Sequence, residues 1–127
     1  MQRSILIVED ERPTAWALAQ SLSEEGYFVQ SVETAEDALD ALDEEPADLV
    51  ITDLRLPGMS GLDLIRRLGR RHRPIPAIVI TAYGDPEVHA GIAAERVRGL
   101  FHKPFHIDDV KRCVEETWQP ARKAVGE

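Results

Sequence analysis

Glu9, Asp10, Asp53, Thr81 and Lys103 are the residues of this chain whose types could do chemistry together. Each stands at the end of a short apolar run, or just past it. Glu9 and Asp10, with Glu11 following, come after "SILIV" (4–8); Asp53 comes after "LVIT" (49–52). Thr81 ends "AIVIT" (77–81), and His102-Lys103-Pro104 ends "GLFH" (99–102). If these run ends meet, three carboxylates share one hollow and repel, so at least one should have a raised pKa unless a positive charge arrives. A hard divalent cation resolves the repulsion. Mg²⁺ prefers oxygen ligands and is typically held by one or two carboxylates plus a phosphate; a backbone carbonyl from the loop after Asp53 can add a ligand. A carboxylate beside Mg²⁺, an ammonium and a hydroxyl can act as a nucleophile towards a phosphoryl group. That reaction needs little beyond positioning and charge neutralisation. Singly, each piece has an ordinary structural role: a solvated acidic pair, a β-forming threonine, a surface Lys-Pro turn. Together, at four run ends, they form a joint signal.

The runs must therefore be strands that bring their ends together. "SILIV", "YFVQSV" (27–32), "LVIT", "AIVIT" and "GLFH" are too short for helices and rich in Val and Ile, which predicts five strands. Helical spacing lies between them. Ala15, Leu18, Ala19 and Leu22 form one stripe, and Ala35, Ala38, Leu39 and Leu42 another, opened by Thr34 as N-cap with Asp37 three residues on. Ser60 can cap a third helix carrying Leu64, Ile65 and Leu68. Asp85-Pro86 resembles the opening of a fourth, with a thin apolar face of Val88, Ile92 and Ala93. Ile107, Val110, Val114 and Trp118 give the last helix its stripe. A strand-helix unit repeated five times predicts an α/β fold, a parallel sheet with helices on both faces. At this length the favoured arrangement is the flavodoxin-like (βα)5 sandwich, order 2-1-3-4-5, with sites at the carboxyl ends of the strands. In that order strands 1, 3, 4 and 5 are successive neighbours, so the acids, hydroxyl and ammonium converge.

Composition sets the class. The 127 residues are 43% apolar and 30% charged, ordinary for one globular domain able to bury a core without disulfides. The single cysteine, Cys113, fits a reducing cytoplasm. No run approaches membrane-spanning length, and "MQRSILIVEDE" turns acidic too soon for a signal peptide. A net charge of −8 disfavours direct nucleic-acid binding by this chain. The basic stretch "RRLGRRHR" (66–73) is most simply a solvated helix end. We read residues 1–118 as the domain and 119–127, "QPARKAVGE", as a polar tail or linker stub.

With these residues in hand, the sequence strongly resembles the receiver domains of bacterial two-component response regulators. The match rests on "ILIVEDE", "VITDLRLPGMSGLDLI", "VITAYGD" and "HKPF", and runs from about residue 4 to 118. The resemblance implies that Asp53 accepts a phosphoryl group from a sensor histidine kinase or a phosphotransfer protein. It implies Mg²⁺ ligation by Asp10, Asp53 and the backbone carbonyl of Arg55, with Glu9 acting mainly through water. Thr81 and Lys103 would contact the phosphoryl group, and the Lys103-Pro104 bond would be cis. The chain would be a switch in phosphorelay signalling and no enzyme in its own right, catalysing only its own phosphorylation and dephosphorylation. Its location would be cytoplasmic. Its partners would include a downstream output domain, in a transcriptional regulator, and a second copy through the fourth helix, fifth strand and fifth helix.

The sequence also departs from the family. The switch aromatic usually stands three residues before the lysine, where this chain has Leu100; Phe101 comes one place later. A one-residue offset in a strand points the other way, so Phe101 is expected in the core and Leu100 at the switch. "AAERVRGL" lacks the Gly-Ala usual there. Arg55 and Tyr83, each two residues past a site residue, are large enough to restrict an attacking water or to be mere exposed side chains. Three other classes fit less well. A phosphohydrolase with an aspartate nucleophile commonly needs an acid where Arg55 stands. A partner-binding pseudo-receiver would not keep Asp10, Asp53, Thr81 and Lys103. A flavin-binding domain would have a phosphate cradle after strand 1.

Overall fold

The computed structural model describes residues 2–82 and 97–119. Its elements run β1 (Ser4–Val8), α1 (Arg12–Glu24), β2 (Phe28–Val32), α2 (Ala35–Glu44), β3 (Leu49–Thr52), α3 (Gly61–Gly69), β4 (Ala77–Thr81), β5 (Val97–His102) and α4 (Ile107–Trp118). The helix predicted to open at Asp85, Tyr83, and the tail from residue 120 lie outside the described residues. The five strands form one sheet in the order β2-β1-β3-β4-β5, each neighbouring pair parallel. This is the expected flavodoxin-like order.

Alternation along the strands divides the core in two. Ile5 and Ile7 of β1 face α1 and α4, packing with Leu18, Leu22, Val110 and Val114. Leu6 and Val8 face α2 and α3, packing with Ala38, Leu42, Leu64 and Leu68. β3 and β4 are buried at every position, as central strands of a parallel sheet covered on both faces must be. β2, an edge strand, is exposed or half-buried at every position.

Helix starts follow local chemistry. Thr34 Oγ1 accepts the Asp37 N–H at 3.0 Å, and Ser60 Oγ accepts the Asp63 N–H at 3.1 Å, so the expected caps open α2 and α3. α1 differs: its N-cap position is Glu11, whose side chain makes no capping bond. Two boundaries differ from the sequence reading. β2 begins at Phe28, one residue late, and β5 begins at Val97, two residues early. A register shift at Ala77/Ile78 lets Val97 pair with Ala77 while Gly99 pairs with Ile78, which extends β5 back past its apolar run. The Lys103-Pro104 bond is cis.

Candidate functional site

Backbone bonds running past the strand ends hold the site residues in place. The Glu9 N–H donates to Val32 O at 3.0 Å and the Asp53 N–H to Val8 O at 3.1 Å. The Lys103 N–H donates to Thr81 O at 2.9 Å, tying the ends of β4 and β5 together. The loop after Asp53 folds back on itself around Gly61, whose N–H donates to Leu54 O at 3.0 Å. A Cβ at Gly61 would collide with the carbonyl oxygen of Asp53 and come within 2.8 Å of Leu54 Cα, so only glycine fits there. Gly58, in the same loop, has φ +79°, a conformation that favours glycine. The next N–H, Met59, donates to Glu36 Oε2 in the first turn of α2 at 3.0 Å.

The side chains meet at Lys103. Its Nζ lies 2.7 Å from Asp53 Oδ2, 2.7 Å from Glu11 Oε1 and 2.9 Å from Glu9 Oε1. Asp53 and Glu9 are buried, 6% and 3% exposed, and Thr81 is wholly buried. Asp10 is exposed. Two backbone donors orient the buried acids: the Arg55 N–H donates to Asp53 Oδ1 at 3.0 Å, and the Glu11 N–H to Glu9 Oε2 at 3.0 Å. Glu9, Asp10 and Asp53 bring carboxylate oxygens within 4.8 Å of one another. Three hard oxygen donors with no nitrogen or sulfur among them suit Mg²⁺.

Electrostatics follow from this packing. Burial pushes the Glu9 carboxyl above its ordinary value, outweighing the Glu11 N–H and Lys103, which favour the ion. The charge of Asp53 adds the smallest contribution. The raised carboxyl expected from the sequence is thus present, with desolvation rather than mutual repulsion as its main cause. Burial also works against the Lys103 charge, but its bonds to Asp53, Glu11 and Glu9 prevail and hold its pKa above the ordinary lysine value.

The arrangement brings Glu9, Asp10, Asp53 and Lys103 together and sets Thr81 beside them through the Lys103 backbone bond. Glu11, noted in the sequence only as an acid following the pair, belongs to the same cluster. Its one local signal was a glutamate at a helix start, where Ser, Thr, Asp or Asn is preferred. Leu100 pairs with Val79 and packs against the α2–α3 core, on the face that alternation gives Thr81. Phe101 packs into the opposite core, against α1 and α4. The basic stretch runs off the end of α3, away from these residues. There Arg66 pairs with Asp63 at 3.4 Å and Arg71 with Asp43 at 3.6 Å.

Known proteins share this frame. The family model described as the response regulator receiver domain matches residues 5–115. The DNA-binding transcriptional regulator NtrC of Klebsiella pneumoniae is 33% identical over 91% of this chain, a match covering 25% of NtrC. The chain therefore spans about a quarter of that relative. Sporulation initiation phosphotransferase F of Bacillus subtilis is 31% identical over 91% of this chain and 94% of its own length. Among solved structures, the signal receiver domain of a LuxO repressor protein from Vibrio parahaemolyticus superposes with a TM-score of 0.85 at 28% identity, covering 92% of this chain and 90% of that one.

Proposed function

This chain belongs to the response regulator receiver domain family, and on that premise we propose that Asp53 is its phosphoacceptor in phosphorelay signalling. The observation that carries the reading is the contact between Lys103 Nζ and Asp53 Oδ2, at 2.7 Å, beside an acidic trio fit for Mg²⁺. An Asp53 carboxylate oxygen attacks the phosphorus of a phosphohistidine on a sensor kinase or phosphotransfer protein. An O–P bond forms, the P–N bond breaks, and the histidine nitrogen keeps the electron pair. Glu9, Asp10, Asp53 and the backbone carbonyl of Arg55 would hold Mg²⁺, Glu9 mainly through water. When bound, Mg²⁺ neutralises charge on the phosphoryl oxygens. Lys103 pairs with the same oxygens from the other flank, and Thr81 hydrogen-bonds one of them.

The output is a population shift. Thr81 moves towards the phosphoryl group, and Leu100, which stands where the family usually has an aromatic, responds on the same face of the sheet. Residues 1–118 act as the switch, and 119–127 are a tail or linker stub. Likeness to NtrC supports a place as the regulatory part of a transcriptional regulator. A homodimer through the predicted fourth helix, β5 and α4 is the matching assembly, and a reduced Cys113 suits the cytoplasm.

The test is intact-protein mass after incubation with acetyl phosphate, with and without Mg²⁺, on wild type and Asp53→Ala. One Mg²⁺-dependent phosphoryl adduct, absent from the variant, is expected. A folded wild type that binds Mg²⁺ and takes no adduct would make the chain a pseudo-receiver instead.

A further inference from the structure

We propose that Glu11 is a positioning residue for phosphoryl transfer: its carboxylate holds the ammonium of Lys103 in the resting protein and must yield it to the incoming phosphoryl group. The inference rests on the phosphoacceptor reading and adds to it a determinant of how readily a donor is accepted.

The Lys103 ammonium is saturated in the resting protein. A lysine ammonium has three N–H donors and no acceptor. Lys103 Nζ has three carboxylate partners, Asp53, Glu11 and Glu9, all within 2.9 Å. A phosphoryl oxygen can therefore reach the ammonium only by displacing one of them. Glu9 and Asp53 are poor candidates to leave at the encounter. Their side chains are 3% and 7% exposed, and each also accepts a backbone N–H, from Glu11 and Arg55 respectively. The Glu11 side chain is 59% exposed and can return to water at little cost.

The position of Glu11 strengthens the case. It stands at the N-cap of α1, where a side chain ordinarily accepts an N–H of the first turn, yet it makes no such bond. Its carboxylate instead reaches a lysine 92 residues away. Glu11 thus competes with the phosphoryl group for one ammonium and adds a negative charge that a dianionic donor must approach.

The test compares wild type with Glu11→Gln, measuring initial phosphorylation rate against acetyl phosphate concentration at saturating Mg²⁺. Magnesium affinity is measured separately. The variant should reach half-saturation at a donor concentration about three- to fivefold lower, with its maximal rate within about twofold of wild type. The difference should shrink as ionic strength rises. A merely structural role would lower the maximal rate and show no such salt dependence. An unchanged threshold, or a fall in maximal rate alone, overturns the proposal. A double-mutant cycle of Glu11→Gln with Lys103→Met, read by urea unfolding without metal, tests the contact independently of any phosphoryl chemistry; absence of coupling overturns it too. If wild type takes no adduct, the phosphoacceptor reading falls and this one with it, an outcome distinct from an adduct with an unmoved threshold.

Discussion

One ammonium serves three acidic side chains at the strand ends: Lys103 bonds Glu9, Glu11 and Asp53, and Asp10 lies beside Glu9 and Asp53 to complete the acidic trio. Removing that ammonium leaves Glu9 and Asp53 buried without a counter-charge, the expensive half of breaking a buried pair. Lys103→Met should destabilise the metal-free fold by about 1–3 kcal/mol. Mg²⁺ should restore more stability to the variant than it adds to wild type, as urea unfolding with and without the ion would report. Cys113 offers a second test at this scale. Its thiol, directed at Arg98 O at 3.6 Å, has a pKa raised by burial first and by Glu116 second, against a smaller opposing effect of Arg98. A raised folded value means the group's contribution to stability is complete below the unfolded thiol pKa and is lost as pH rises through the folded one. Alkylation of the native protein should therefore be slower than that of a free thiol at neutral pH, with its rate-pH curve displaced upward. A curve matching a free thiol would contradict the burial. The sequence made most of these residues legible because each ends a run of Val and Ile. Glu11 was not, because its partner lies 92 residues away and its own surroundings show only an acid before Pro13.

Elements convert residue chemistry into position, and the loop between β3 and α3 is the clearest case. It leaves Asp53, turns through Gly58, donates the Met59 N–H to Glu36 of α2, and returns so closely that Gly61 abuts the Asp53 carbonyl. Gly61→Ala should push that backbone away. A cost of about 1–3 kcal/mol is expected from the overpacking, together with weaker Mg²⁺ binding, because Asp53 and Arg55 lie in the displaced segment. Calorimetric titration with Mg²⁺ on a variant that still unfolds cooperatively would check it; unchanged affinity would mean the loop can shift without moving Asp53. At this scale the caps at Thr34 and Ser60 and the stripes of α1, α2, α3 and α4 were readable, since each depends on neighbours within a turn or two. The start of β5 was not. Val97 and Arg98 carry no strand pattern of their own; Val97 pairs with Ala77 across a register shift that skips Arg98. The separation of Leu100 from Phe101 was readable by alternation alone, and the two side chains do pack into different cores.

Among the described residues, α1 and α4 pack on one face of the sheet and α2 and α3 on the other, and the end of α4 is fastened at the base of the sheet. There the Trp118 Nε1–H donates to Tyr27 Oη at 2.9 Å, and the Arg3 guanidinium sits 4.5 Å from the centre of the Trp118 ring. The end of α4 is thereby tied to the residues just before β1 and just before β2, contacts between residues too far apart in the chain for any sequence pattern to reveal. Global stability should respond to the acidic trio. An ion that binds only the folded state stabilises it by mass action, so millimolar Mg²⁺ should raise the melting temperature of wild type, and Asp10→Asn should abolish most of the rise. An equal shift in both proteins would place the ion elsewhere. The assignment of each core to helices from different parts of the chain has a further consequence, for synthesis. On the ribosome, α2 and α3, the helices described on one face, are both out once Gly69 has emerged, whereas the opposite face waits for Val110 and Val114 of α4. During that interval Ile78 and Ile80 have no α4 to cover them, and such exposed apolar surface is what chaperones hold. The emergence of the last helix therefore sets the moment at which the nascent chain can bury its second face.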